Sequence, residues 1–187
     1  MTAASPEQPE QHDPTVRDDE PGLPEIPDGF EIPDDLSGLD GSSDPEIAVL
    51  ITQVADAEPL AAACALADLD VDAVPTPVGA LAVLRDRSGD APGQAAATVS
   101  RLVQGVPLIL VTRQGEQLTC RRFADGVEDG ELPAGLVLGG APDALEDLLT
   151  GHLAVTDLPG VVPSSGIGRL KAVRMLSSIS RRSRKKK

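Results

Sequence analysis

The sequence has almost no aromatic side chains: it contains two phenylalanines, Phe30 and Phe123, and no tryptophan or tyrosine. The hydrophobic core must therefore be built from Leu, Val, Ile and Ala. The same scarcity argues against recognition of single-stranded nucleic acid, because that mode of binding stacks bases on aromatic side chains.

Histidine and cysteine are equally scarce. The two histidines, His12 and His152, have no partner residues at a spacing typical of a metal site. Cys64 and Cys120 lie in apolar segments, and we expect buried free thiols. Two arginines directly follow Cys120 and would lower its pKa if they faced the sulfur. No set of catalytic residues can be assembled, so we expect no enzymatic activity, no metal and no cofactor.

Long apolar runs are also absent. No run approaches the ~18 residues that a membrane-spanning helix needs, and no apolar segment lies at the N-terminus. We therefore expect a cytoplasmic protein, with peripheral contact to a membrane as the closest association with lipid. The abundance of Ala, Gly, Pro and Arg is typical of a high-GC bacterial genome.

The net charge of -14 is distributed unevenly along the chain. Residues 1–45 contain thirteen acidic residues, one basic residue and eight prolines, whereas residues 169–187 contain nine basic residues and no acidic one. A segment so charged and so poor in apolar residues cannot offset the entropy cost of ordering, so residues 1–45 are predicted to be a disordered acidic arm. We predict an α+β domain over residues 46–151, a linker over 152–166, and a basic amphipathic helix with a polybasic tail over 167–187.

The fold prediction depends on two apolar runs, residues 47–52 and 106–112, which indicate buried strands. Between them the spacing of apolar, Pro and Gly residues predicts a helix, two short strands and a second helix. The resulting order, βαββαβ, is that of the ferredoxin-like fold. Its first and third strands are central, and Pro75 and Pro77 restrict the second strand to an edge.

Further elements are predicted after this core. The turn signal Gln114-Gly115 predicts an added hairpin strand over residues 118–123, which covers the fourth strand. Residues 124–135 are predicted to be an acidic loop and residues 136–138 a short strand. A third helix begins at Pro142 and ends at Gly151.

A glycine turn precedes the basic helix. Gly166-Ile167-Gly168 leads into a first turn that contains Arg169 and Lys171, so free backbone amides and positive charge occur together. With Lys171-Ala172 and Met175-Leu176, this stretch resembles the second half of a helix-hairpin-helix DNA-binding motif. The resemblance implies that the turn's amides contact a DNA phosphate. Pro163 and two serines stand where the motif's first helix should end.

The helix itself is predicted to be amphipathic. Its apolar docking face consists of Leu170, Val173, Leu176 and Ile179. The candidate anion-binding residues are Gly166, Gly168, Arg169, Lys171, Arg174, Arg181, Arg182, Arg184, Lys185, Lys186 and Lys187.

The apolar face decides between possible partners. Phosphates do not require Leu and Ile opposite the cations, so an anionic membrane surface or an acidic protein is favoured over nucleic acid. We expect a non-catalytic accessory or regulatory protein that this helix tethers to such a surface. A nucleic-acid-binding accessory protein is the second hypothesis, and an enzyme or metabolite sensor is the third. No small-molecule substrate is indicated.

Overall fold

The computed structural model describes residues 44–103 and 105–185, with side chains described as far as Ser177. The predicted disordered arm therefore lies, apart from its last two residues, outside the described part of the chain. The strands are β1 (Ile47–Ile51), β2 (Val71–Val74), β3 (Leu81–Leu84), β4 (Leu108–Gln114), β5 (Gln117–Ala124), β6 (Val127–Leu132) and β7 (Val162–Pro163). The α-helices are α1 (Ala57–Leu66), α2 (Ala91–Leu102), α3 (Ala134–Leu138), α4 (Asp143–Thr150) and α5 (Arg169–Lys185).

The described strands form one antiparallel sheet in the order β6-β5-β4-β1-β3-β2-β7. The predicted α+β class is confirmed. β1 lies in the middle of the sheet, where Val49 stands opposite Val83 of β3 and Val111 of β4. The added strand, β5, pairs with β4 along its whole length.

Both faces of the sheet are covered. Alternate residues of β1 point to different cores: Leu50 packs in the one that includes α1, α2 and α5, and Val49 in the one that includes α3 and α4. Because side chains of a strand alternate between faces, a strand covered on both sides is apolar throughout. This explains the continuous apolar runs of β1 and β4.

The same division separates the two cysteines. Cys64 of α1 lies in the first core and Cys120 of β5 in the second. Both are buried and free, as predicted.

Two predictions between residues 124 and 138 are wrong. The acidic segment is not a loop but contains β6, which the turn at Asp125 and Gly126 folds back on β5; both residues have positive φ, 50° and 88°. Residues 136–138 belong to helix α3 rather than to a strand. Three apolar residues are too few for periodicity to distinguish the two structures.

Residues 152–166, predicted to be a linker, include short regular elements. They contain two 3₁₀ turns, Val155–Asp157 and Ser164–Gly166, and the short strand β7. β7 pairs with β2, with Ala73 opposite Val162, so the prediction that β2 is a sheet edge is also wrong. Pro75 follows β2 and therefore removes no donor from its ladder.

Candidate functional site

The candidate site is α5 together with the segment that leads into it. Ser164 lies just before the helix and is 2% exposed. Its hydroxyl oxygen accepts a hydrogen bond from the Val71 amide at 2.8 Å and donates one to the Leu69 carbonyl at 2.7 Å. Since Pro163 pairs with the residue after Val71, the serine hydroxyl extends the β2–β7 ladder by one position. The start of α5 is thus fixed to the sheet through a buried side chain.

The first turns of α5 pack against the body. Ala172 is fully buried, and Met175 and Leu176 are half-buried against the core that contains α1. A small side chain at the point of contact lets two helix backbones approach closely. An ion pair joins Arg169 Nη2 to Asp68 Oδ2 at 2.5 Å, but both side chains are more than two-thirds exposed. A pair so open to solvent contributes only about 0–1 kcal/mol, so burial is what holds the helix.

The opposite side of α5 faces solvent. Leu170 is 85% exposed and Val173 is 54% exposed. Lys171 and Arg174 are also exposed, and neither forms an ion pair with any described residue. Residues three and four apart are neighbours on a helix surface, so Leu170, Val173 and Arg174 lie side by side.

The structure divides the predicted docking face. Leu170 and Val173 face solvent, while Leu176 packs on the body. The side chains of Ile179, Arg181, Arg182, Arg184 and Lys185 lie outside the described part of the chain, as do Lys186 and Lys187 entirely. The burial of Ala172 was not predicted, although its spacing to Met175 and Leu176 is that of one helix face.

The glycine turn has acidic neighbours. Gly166 ends the 3₁₀ turn, and the Gly168 carbonyl accepts the first α5 hydrogen bond, from the Ala172 amide at 3.0 Å. Asp68 and Asp70 line the shallow cavity of about 300 Å³ beside Ser164. The carboxylates that line this cavity would repel a phosphate, which counts against the anion-binding role predicted for the turn.

The remaining reactive groups show no catalytic arrangement. Burial raises the pKa of the Cys64 thiol to about 12. The pKa of Cys120 is also raised, first by burial and then by the charge of Glu131, so the neighbouring arginines do not lower it. Those arginines pair instead with carboxylates of β6. His152 is exposed, with Nδ1 3.0 Å from the Thr150 hydroxyl.

Two further observations concern ligands and membranes. Within the described residues, no three His, Cys, Asp or Glu side chains are grouped closely enough to hold a metal ion. A cavity of about 570 Å³ between the start of α2 and the β4–β5 hairpin is lined by neither histidine nor cysteine. None of the described helices has the length and apolar character needed to cross a bilayer.

Comparisons with protein-family models, with curated proteins and with solved structures found no match for this chain.

Proposed function

We propose that this chain is a non-catalytic accessory or regulatory protein that attaches its α+β body to an anionic surface through α5 and the basic sequence at its end. The observation that supports this most directly is the exposed side of α5. There, Lys171 and Arg174 have no ion-pair partner among the described residues and stand beside the exposed Leu170. We also propose that β4, β1, β3 and β2, with α1 and α2 on one face, form a ferredoxin-like core; their order and the placement of both helices support this assignment.

The charge distribution supports the same function. Residues 46–168 contain seventeen acidic and six basic residues, so the body repels an anionic surface. The nine basic residues of 169–187 are not interrupted by any acid. Near an anionic membrane each Lys or Arg contributes roughly 1 kcal/mol, and the contribution decreases with salt. Attachment through the C-terminal end alone keeps the acidic body at a distance.

The packing of α5 determines how the proposal is tested. Deleting residues 167–187 would remove the buried side chains of Ile167 and Ala172 and would destabilise the body. A shorter truncation, after Ser180, removes six of the nine cations and retains the packed turns. Full-length protein and this truncation are compared for binding to phosphatidylserine-containing vesicles, polyglutamate and duplex DNA at low and physiological salt.

The full-length protein is expected to bind an anionic surface in a salt-sensitive manner, and the truncation is expected to bind at least about tenfold more weakly at low salt. A full-length protein that binds none of the three polyanions, or a truncation that binds as tightly as the full chain, contradicts the proposal. Preference for duplex DNA over vesicles and polyglutamate supports the nucleic-acid hypothesis instead.

A further inference from the structure

We infer that the anionic surface is a lipid bilayer, and that α5 meets it with an outward strip formed by Leu170, Lys171, Val173 and Arg174 while its other side stays packed on the body. This inference rests on the proposed function and adds the partner and the face that contacts it.

The outward strip exposes apolar side chains beside its cations. Leu170 has the highest exposure among the large hydrophobic residues of the described chain, and Val173, one turn later, is more than half exposed. Duplex DNA and polyglutamate offer charge and water to these side chains. The interface of a bilayer offers apolar chains directly beneath anionic headgroups. The outward strip has the same arrangement of groups: Leu170 and Val173 can contact the apolar chains while Lys171 and Arg174 contact the anionic headgroups.

The other side of α5 is already occupied by its packing on the body. Ala172 is fully buried, Leu176 packs against the core, and the preceding Ser164 is hydrogen-bonded within the sheet. Releasing the helix to insert Leu176 would expose these groups to water. The outward strip is accessible without any such rearrangement, so the folded body can bind as it stands.

The packing of α5 also limits how deeply the helix can enter a bilayer. Because the other side of α5 is packed on the body, the outward strip can reach only the interface of a bilayer. The outward strip places two apolar side chains there, and Lys171 and Arg174 lie at the level of the headgroups. Arg169 differs from these two cations because it forms an ion pair with Asp68.

Binding to vesicles separates the outward strip from the packed side. The double variant Leu170→Ser/Val173→Ser is compared with a matched control, Val78→Ser/Leu136→Ser, which removes side chains that are 63% and 71% exposed elsewhere on the body. The strip variant is expected to bind phosphatidylserine-containing vesicles at least about tenfold more weakly at every salt concentration, with an unchanged Tm. The control is expected to bind like the wild type.

The absence of tryptophan and tyrosine permits a second measurement that does not depend on serine variants. Leu170→Trp introduces a single fluorophore into the outward strip, and Leu136→Trp places one on the opposite side of the sheet. On addition of anionic vesicles, the emission of the first is expected to shift to shorter wavelength, and the emission of the second is expected to stay unchanged.

Several outcomes overturn the inference. A strip variant that binds vesicles like the wild type, or a tryptophan at position 170 whose emission does not respond, shows that the strip does not enter the interface. A folded Leu176→Ser variant that loses as much affinity as the strip variant shows that the helix leaves the body. Full-length protein that binds polyglutamate but not vesicles refutes the lipid partner while leaving the proposed function intact, whereas binding to DNA alone refutes both.

Discussion

Ser164→Ala tests the buried connection between the sheet and α5. The substitution removes one hydroxyl that both accepts from the Val71 amide and donates to the Leu69 carbonyl. Val71 is fully buried, so its amide is left without a partner, whereas Leu69 is half-buried and its carbonyl can be reached by water. A buried polar group left unsatisfied costs about 1–3 kcal/mol. We therefore expect the free energy of unfolding to fall by roughly 2–3 kcal/mol.

The loss is measured by urea unfolding and by thermal melting followed by far-UV circular dichroism. For a domain of this size it corresponds to a decrease in Tm of roughly 10 °C. Hydrogen exchange gives a local measurement, because the Val71 amide should exchange faster in the variant while amides of the β4–β5 hairpin keep their relative protection.

Ser165→Ala is the matched control. This neighbouring serine is exposed, so its substitution is not expected to leave a buried polar group without a hydrogen bond. Its Tm is expected to stay within about 2 °C of the wild type, as for most surface substitutions. If Ser164→Ala melts like Ser165→Ala, the hydroxyl does not hold β7 against β2, and the argument that α5 is anchored through Ser164 is wrong.

Two further predictions concern the cores. Leu110→Asp places an unpaired carboxylate at a fully buried position of β4, so we expect a loss of at least about 3 kcal/mol, and a folded variant with an unchanged Tm would contradict the assignment of β4 to the core. Native Cys64 is expected to resist alkylation at pH 8 and to react on unfolding, because its thiol is buried and its pKa is raised to about 12. Since the unfolded thiol loses its proton near the ordinary value of 9.0, stability should fall by up to about 1.4 kcal/mol for each pH unit between 9.0 and about 12. This decrease should be smaller in Cys64→Ala, and equal slopes would show that the thiol is not protonated in the folded state.

The elements that could be predicted from the sequence are those with a local signal. β1 and β4 are continuous apolar runs because both faces of the sheet are covered, and the turn between β4 and β5 contains Gly115 with a φ of 57°. The turn Asp125-Gly126 carried an equally clear hairpin signal that predicts β6. The acidic composition of the segment masked that signal, since its charges are compensated only after pairing, by arginines on the neighbouring strand.

The candidate site around α5 depends on contacts between residues far apart in the sequence, which a local sequence pattern does not predict. The Ser164 hydroxyl meets an amide 93 residues earlier in the sequence, and Arg169 meets a carboxylate 101 residues earlier. A helical wheel gives only the direction of each side chain, and Leu170 and Leu176 are grouped because both are apolar and lie on one broad side of the helix. Packing also selects by shape, and the fully buried position of α5 is Ala172, whose small side chain permits close contact with the body.

Because one side of α5 packs on the body, less of its apolar surface is available for the proposed attachment to an anionic surface. A free amphipathic helix can bury its entire apolar face in an interface, but here Ala172, Met175 and Leu176 are used by the body, and among the described side chains Leu170 and Val173 are left. Two apolar side chains supply a small part of the affinity, so the basic residues must supply the rest. Charge interactions of this kind are screened over about 8–10 Å at physiological salt. Attachment through α5 is accordingly expected to be reversible and sensitive to ionic strength, as suits a protein that is recruited to a surface rather than embedded in it.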